Sequence, residues 1–308
     1  MAANDMSDWI PIEWDSAVIQ RVLKASAIEA TASRTGMTTS TKRILRAGDF
    51  DVNTGTTYVD DDSDLDYVTL TARRFMGKTV LEEDDLKDAE SIVDVIGQRA
   101  MDYANSYATY LDNACVGVTA SENGTTVPFT SIYKTVRTNG ANGTSGYVAD
   151  ANYVNWNGAA SGAYNSLSNT LKLVEVGDYF DEANALIIAN TAFRDVLRQV
   201  KDNNGTPIFV QGQGTDSGQP DTLFGIEIFW SRGAKTSAVA GSKPAGNPLL
   251  VFVGDRGLLK LGVRSGPETI VTPADAQSNT DQTALKLRSR RGFALGNVFG
   301  AAVLEKTG

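Results

Sequence analysis

An α+β fold is expected for this 308-residue chain, with helix and strand falling in separate stretches. Strand-like alternation fills residues 43–81, a long helical stripe of apolar residues follows, and strands dominate the last third. Hydrophobic content of 42% and charged content of 21% suit a globular protein with one large core or two modest ones.

From the N-terminus, Asp15 is placed to cap a short helix along which Trp14, Val18, Val22 and Ala25 recur. The stretch TASRTGMTTSTKR, from Thr31 to Arg43, is small and polar and offers no stripe to bury. It reads as an extended arm. RILRAGDFDV and LDYVTLTARRFMGKTVL then alternate, most clearly at Tyr67, Thr69, Thr71 and Arg73 against Val68, Leu70 and Ala72. The acidic, turn-rich NTGTTYVDDDSD separates them, so the two strands form a long hairpin, which needs something to lie on because a two-stranded ribbon is marginal in water.

EEDDLKDAESIVDVIGQRAMDYANSYATYLDNACVG is the clearest element, with Leu86, Ala89, Val93, Ile96, Ala100, Tyr103, Ala104, Tyr107, Leu111 and Ala114 on one helical face. Acidic residues at its start suit the helix dipole, Gly117 stops it, and about thirty residues give a rod on the order of 45 Å. Residues 119–166 are rich in Asn, Gly, Ser and Thr and read as loops with short structured pieces. AYNSLSNTLKLVEV is a short helix, ANALIIAN a buried strand, and TAFRDVLRQVKDNNG a helix ended by Asn204 and Gly205. GTPIFVQ, DTLFGIEIFWS, PLLVFVGDRGLLKLGVRSG and TALKLRSRRGFALGNVFGAAVLE read as strands.

Composition removes many functions. The chain has no histidine and one cysteine, Cys115. Histidine-based triads, the commonest general base and the usual zinc and haem ligands are therefore excluded, and an intrachain disulfide is impossible. The net charge of −9 argues against sequence-reading DNA binding. The N-terminus does not read as a secretory signal, and no apolar run approaches the roughly 18 residues of a membrane span.

Two charged groups stand out: Asp60, Asp61, Asp62, Asp64 and Asp66 at the hairpin tip, and Arg288, Arg290 and Arg291 near the C-terminus. The alternating aspartates resemble the start of a calcium loop, but Leu65 and Thr71 occupy the positions that need Gly and Glu. Along a strand they would stand about 7 Å apart, too far to share one ion. A solvated tip stays open as a reading, and an electrostatic contact is preferred. Paired-carboxylate catalysis needs a cleft that raises one pKa, which an exposed tip does not offer. GQGTDSG (212–218) lacks the lysine and helix of a phosphate loop, and GTSG (143–146) falls short of a nucleophile elbow. In a strand Arg288 and Arg290 share a face suited to carboxylates of another protein. No catalytic, cofactor or metal site is expected.

The order of parts resembles the major capsid protein of tailed bacteriophages, a fold shared with encapsulin shells. VTLTARRFMGKTVLEEDDLKDAES is similar to the family's return strand running into the spine helix, and ALIIANTAFRDVLRQVKDNNGTPIF to its axial-domain strand and helix. DTLFGIEIFWS, VFVGDRGLLKLGVRSG and RSRRGFALGNVFGAAVLE resemble the strands that follow, with FGAAVLE in the usual closing place. The resemblance implies an N-terminal arm (1–43), an extended hairpin loop (44–81), a peripheral domain with the spine helix (82–159 and 266–308) and an axial domain (160–265). It implies hexamers and pentamers in an icosahedral shell around double-stranded DNA, assembled in the host cytoplasm, with a portal and a separate scaffolding protein as partners and no membrane. Each hairpin would reach over a neighbour, setting the five aspartates against the three arginines.

An encapsulin-type compartment is the nearest alternative, though its subunits tend to be shorter and to carry a compact cargo-docking helix. A hydrolase using Asp and Glu is the alternative from another class and needs two carboxylates in one pocket. Some family members carry an N-terminal scaffolding segment of about a hundred residues, and the forty or so residues before this hairpin leave no room for one. Either a separate scaffolding protein exists, which the initiating Met1 favours, or the chain is an already processed form. Others crosslink their shells through a hairpin lysine and a neighbour's asparagine, but Arg43 to Gly77 contains no lysine. Mature particles are therefore expected to run at monomer mass on denaturing gels; a ladder of covalent oligomers would show a crosslink.

Overall fold

The computed structural model describes residues 25–46, 54, 66–82, 84, 95–144, 146–159, 162–201, 205–210, 220–273 and 281–308. The helix expected around Asp15, the hairpin tip and the start of the long helix lie outside these residues. The helices are α1 (Ala27–Thr31), α2 (Val95–Val116), α3 (Ile132–Val136), α4 (Ala163–Glu175) and α5 (Phe193–Gln199). The strands are β1 (Ser33–Gly36), β2 (Thr41–Arg46), β3 (Asp66–Thr71), β4 (Arg73–Glu82), β5 (Tyr153–Trp156), β6 (Leu186–Asn190), β7 (Phe209–Val210), β8 (Thr222–Leu223), β9 (Ile226–Ser231), β10 (Leu249–Val253), β11 (Leu259–Thr272), β12 (Gln282–Leu295) and β13 (Ala301–Lys306). Contacts divide the chain into two units. The smaller includes Met76–Asn105 and Pro267–Arg288; the larger holds Lys24–Phe75, Ser106–Gly266 and Ser289–Gly308.

In the larger unit a seven-stranded sheet runs β5-β13-β10-β6-β9-β8-β7. Its central strands carry the unbroken apolar runs LIIAN, LLVFV and AAVLE, because both faces are covered. Leu186, Ile188, Val251 and Val303 pack on one side with Leu111 and Cys115 of α2. Ile187, Leu250, Phe252 and Leu304 pack on the other with Leu167 and Leu171 of α4 and Phe193 and Leu197 of α5. Each such side chain fully buried contributes roughly 1.5–3 kcal/mol. The second sheet has the order β1-β11-β12-β4, and β2 pairs with β3 in a separate ribbon.

The end of α2 is fixed by two adjacent buried polar residues. Asp112 accepts from Ser26 Oγ at 2.5 Å, Ala27 N at 3.0 Å, Ile28 N at 3.1 Å and Ser231 Oγ at 2.5 Å. Burial pushes its carboxyl above the ordinary value, while those four donors pull it down. Asn113 donates to Gly233 O and Lys235 O and accepts from Ser237 Oγ and Gly241 N. Gly233 must be glycine, since a Cβ there would lie 2.5 Å from Thr109 O and 2.6 Å from Asn113 N.

Several expectations are corrected in detail. The polar stretch from Thr31, read as an extended arm, is extended but carries regular structure: it ends α1, forms β1 parallel to β11 and enters β2 at Thr41. Backbone pairing holds it, together with Ala32 and Met37, which are buried at either end of β1. The helix from Phe193 stops at Gln199, not at Asn204, because Val200 is extended and Lys201 bridges to Pro207. DTLFGIEIFWS is two strands, not one. Phe224 and Gly225 both adopt positive φ, 53° and 84°, and make a two-residue hairpin turn between β8 and β9.

Replacing Asp112 with alanine strands two backbone amides and two hydroxyls in the core. The loss should be about 3–5 kcal/mol, read as a lower denaturation midpoint at unchanged m-value.

Candidate inter-subunit surface

Of the five aspartates, Asp60, Asp61, Asp62 and Asp64 fall outside the described residues, and Asp66 opens β3 directly opposite Arg46 on β2. The antiparallel register from Thr41↔Thr71 to Arg46↔Asp66 buries Val68 and Leu70 and turns Tyr67 and Thr69 outward, as the alternation predicts. Arg46 forms an ion pair with Asp66 and also donates to Thr144 Oγ1 at 3.0 Å and Gly296 O at 3.1 Å. The Tyr67 backbone N–H, at 2.6 Å, and then Arg46 hold the Asp66 carboxyl below its ordinary value of 3.8. Its favourable contribution is thus complete above that value and is lost as pH falls through the lower folded one. Gly143 faces this pair at φ 74°, and a Cβ there would stand 2.6 Å from Asp66 Oδ2.

The three arginines meet different surroundings. Arg288, in the smaller unit, is half exposed and donates to Glu268 Oε2 at 2.7 Å. In the larger unit, the Arg291 side chain is only 8% exposed. It donates to Glu29 Oε1 at 2.9 Å and to Ser265 O at 2.6 Å, while Tyr107 OH donates to the same Glu29 oxygen at 3.0 Å. Arg291 therefore belongs to the interior of its own chain, not to an outward face. Arg290 is partly exposed, and its Nε is occluded without an acceptor among the described residues. It is the member of the triplet whose charge is not neutralised by a carboxylate among those residues.

Sequence reasoning missed Arg46, Thr144 and Glu29. Arg46 was legible in principle, since a paired hairpin sets a basic residue opposite an acidic one, but the register depends on the length of the intervening turn. Nothing in local sequence joins Glu29 to Arg291. Among the described residues no group of three or more His, Cys, Asp or Glu side chains is arranged to hold a metal ion.

A profile of the phage capsid family matches residues 7–305. No curated protein sequence matches the chain significantly. Among solved structures, the capsid of a native GTA particle computed with C5 symmetry is similar at a TM-score of 0.69 and 18% identity, with 100% of both chains covered. A chain of Mycobacterium phage Ogopogo gives 0.70 at 15% identity over 99% of this chain and 100% of its own. One of Mycobacterium phage Bobi gives 0.69 at 15% over 98% and 97%. Identities this low show a shared fold, and it is the fold expected from the sequence.

Replacing Arg291 with alanine leaves Glu29 partly buried without its cation. Stability should fall by about 2–4 kcal/mol in denaturant unfolding, marking Arg291 as a residue of the subunit interior.

Proposed function

The chain belongs to the phage capsid family, and from that membership we propose how it works as a shell subunit. It is a structural major capsid protein, located in the virion capsid, and it assembles with copies of itself. The family match over residues 7–305 carries this reading. Hexamers and pentamers of the subunit close an icosahedral shell in the host cytoplasm, around a separate scaffolding protein and a portal. The shell later encloses double-stranded DNA, to which an acidic subunit of net charge −9 does not bind tightly. Residues 82–159 and 266–308 serve as the peripheral domain and 160–265 as the axial domain.

Residues 47–65, carried between β2 and β3, reach a neighbouring subunit. There Asp60, Asp61, Asp62 and Asp64 pair with Arg290 and Arg288. Asp66 and Arg291 drop out of the contact first inferred from the sequence, because Arg46 and Glu29 hold them in largely buried pairs within their own chain. The Arg288–Glu268 pair, by contrast, is half exposed and leaves Arg288 open to a second carboxylate. Arg290 supports the choice, as a partly buried guanidinium that lacks an acidic partner among the described residues. One exposed pair is worth about 0–1 kcal/mol, and repetition around a closed shell multiplies it.

Reversing Arg288 and Arg290 to glutamate should abolish or distort shells in electron micrographs while circular dichroism and thermal unfolding report a folded subunit. Normal shells from that variant would sink the contact.

A further inference from the structure

Within the larger unit the ribbon of β2 and β3 is fastened at its two ends, with an open pocket beside its far half. At the near end, Met37 and Leu70 lie directly on backbone that carries no side chain. A Cβ at Gly262 would come 2.3 Å from Met37 Sδ and 3.5 Å from Leu70, and one at Gly292 would come 3.1 Å from Thr71 O. Ala72 N also donates to Ser40 O at 2.8 Å, closing the ribbon where β3 gives way to β4. The apolar cluster here is small: Met37, Val68, Leu70, Ala72 and Ala294, with Ile44 against it.

At the far end, about 17 Å along β3, the fastening is Arg46. Its side chain is 13% exposed and joins three separate segments: Asp66 on the partner strand, Thr144 in the loop after α3, and the Gly296 carbonyl between β12 and β13. Beside the far half of the ribbon lies a half-open pocket of about 340 Å³, bounded by Asp66–Thr69 on the ribbon side and by Glu122, Thr130, Gly143, Phe293 and Ala294 opposite. Glu122, the other charged group facing this space, is held by Arg73 at 2.7 Å. A ribbon clamped at its packed near end and flanked by an open pocket at the other has room to tilt once that far end is released.

We propose that Arg46 is a positioning residue: its bridge to Asp66, Thr144 and Gly296 sets the angle at which the β2–β3 ribbon lies on the rest of its unit. The guanidinium suits the task because its planar fork can serve a carboxylate, a hydroxyl and a carbonyl together, whereas a lysine ammonium on a flexible stem cannot present that fixed fork. The consequence for assembly rests on the shell reading above. A subunit with a loose hairpin would approach its neighbours at variable angles.

Hydrogen exchange on the full-length subunit tests the bridge. In Arg46→Ala, amides of residues 43–46 and 66–68 should exchange about tenfold faster or more, while those of β6 and β10 keep wild-type protection. Arg46→Lys should fall between the two. Unchanged exchange in the ribbon would overturn the proposal, as would an equal rise in β6 and β10, which would mark Arg46 as a general stabiliser. Electron microscopy of the assembled variants then reads the angle, with shells of mixed size and curvature expected from Arg46→Ala. Uniform shells of wild-type size from a variant whose ribbon exchanges fast would overturn the angle-setting role. If the wild-type chain forms no shells even with its scaffolding protein present, while exchange responds as expected, the bridge stands and the shell reading fails.

Discussion

The larger unit is organised around a close approach of backbone to backbone at the end of α2. Gly117 and Gly233 let the segment 231–241 lie against the helix where any Cβ would collide: a side chain at Gly117 would come 2.0 Å from Lys235 O. At that distance no water can serve the polar groups between the two segments, so the chain must supply every partner itself. Asp112 and Asn113 do so. One gathers the start of α1 and the end of β9, and the other the loop that leads toward β10. Around this polar knot the apolar residues of α2 and the sheet close into one core.

From that core the functional parts extend by progressively weaker attachments. The seven-stranded sheet is buried on both faces and is the rigid body of the unit. The β2–β3 ribbon rests on a cluster of only a few side chains and on one arginine. Such a gradient suits a shell protein. A stiff body preserves the subunit's shape under the load of its neighbours, and a lightly held projection can adapt to them. Charge follows the same logic. The ion pairs of Arg46 and Arg291 are spent inside the chain, while Arg290 is left without an acidic partner among the described residues.

Much of this was legible in the sequence because the signals are local. Unbroken apolar runs mark strands buried on both faces, and the alternation from Tyr67 to Ala72 marks a strand with one face covered. Gly117 marks the end of α2. The errors arose where tertiary pairing overrode local pattern. Ser33–Gly36 has no apolar periodicity and is a strand only because β11 lies beside it. Phe224 is a poor residue for positive φ, so the turn before β9 is hidden inside what reads as one strand. Arg291 shares its cluster with Arg288 and Arg290 in the sequence. Its burial follows from Glu29, 262 positions away, a distance no motif can bridge. Resemblance to a family conveyed the fold well, but it could not say which charges face outward.

The most direct test is a cryo-electron microscopy map of the closed shell at side-chain resolution. The account predicts that residues 60–64 of one subunit lie within ion-pairing distance of Arg290 on its neighbour, with Arg46 still bridging to Thr144 and Gly296. A map in which the hairpin folds back on its own subunit, or in which Arg290 faces open solvent, would contradict it.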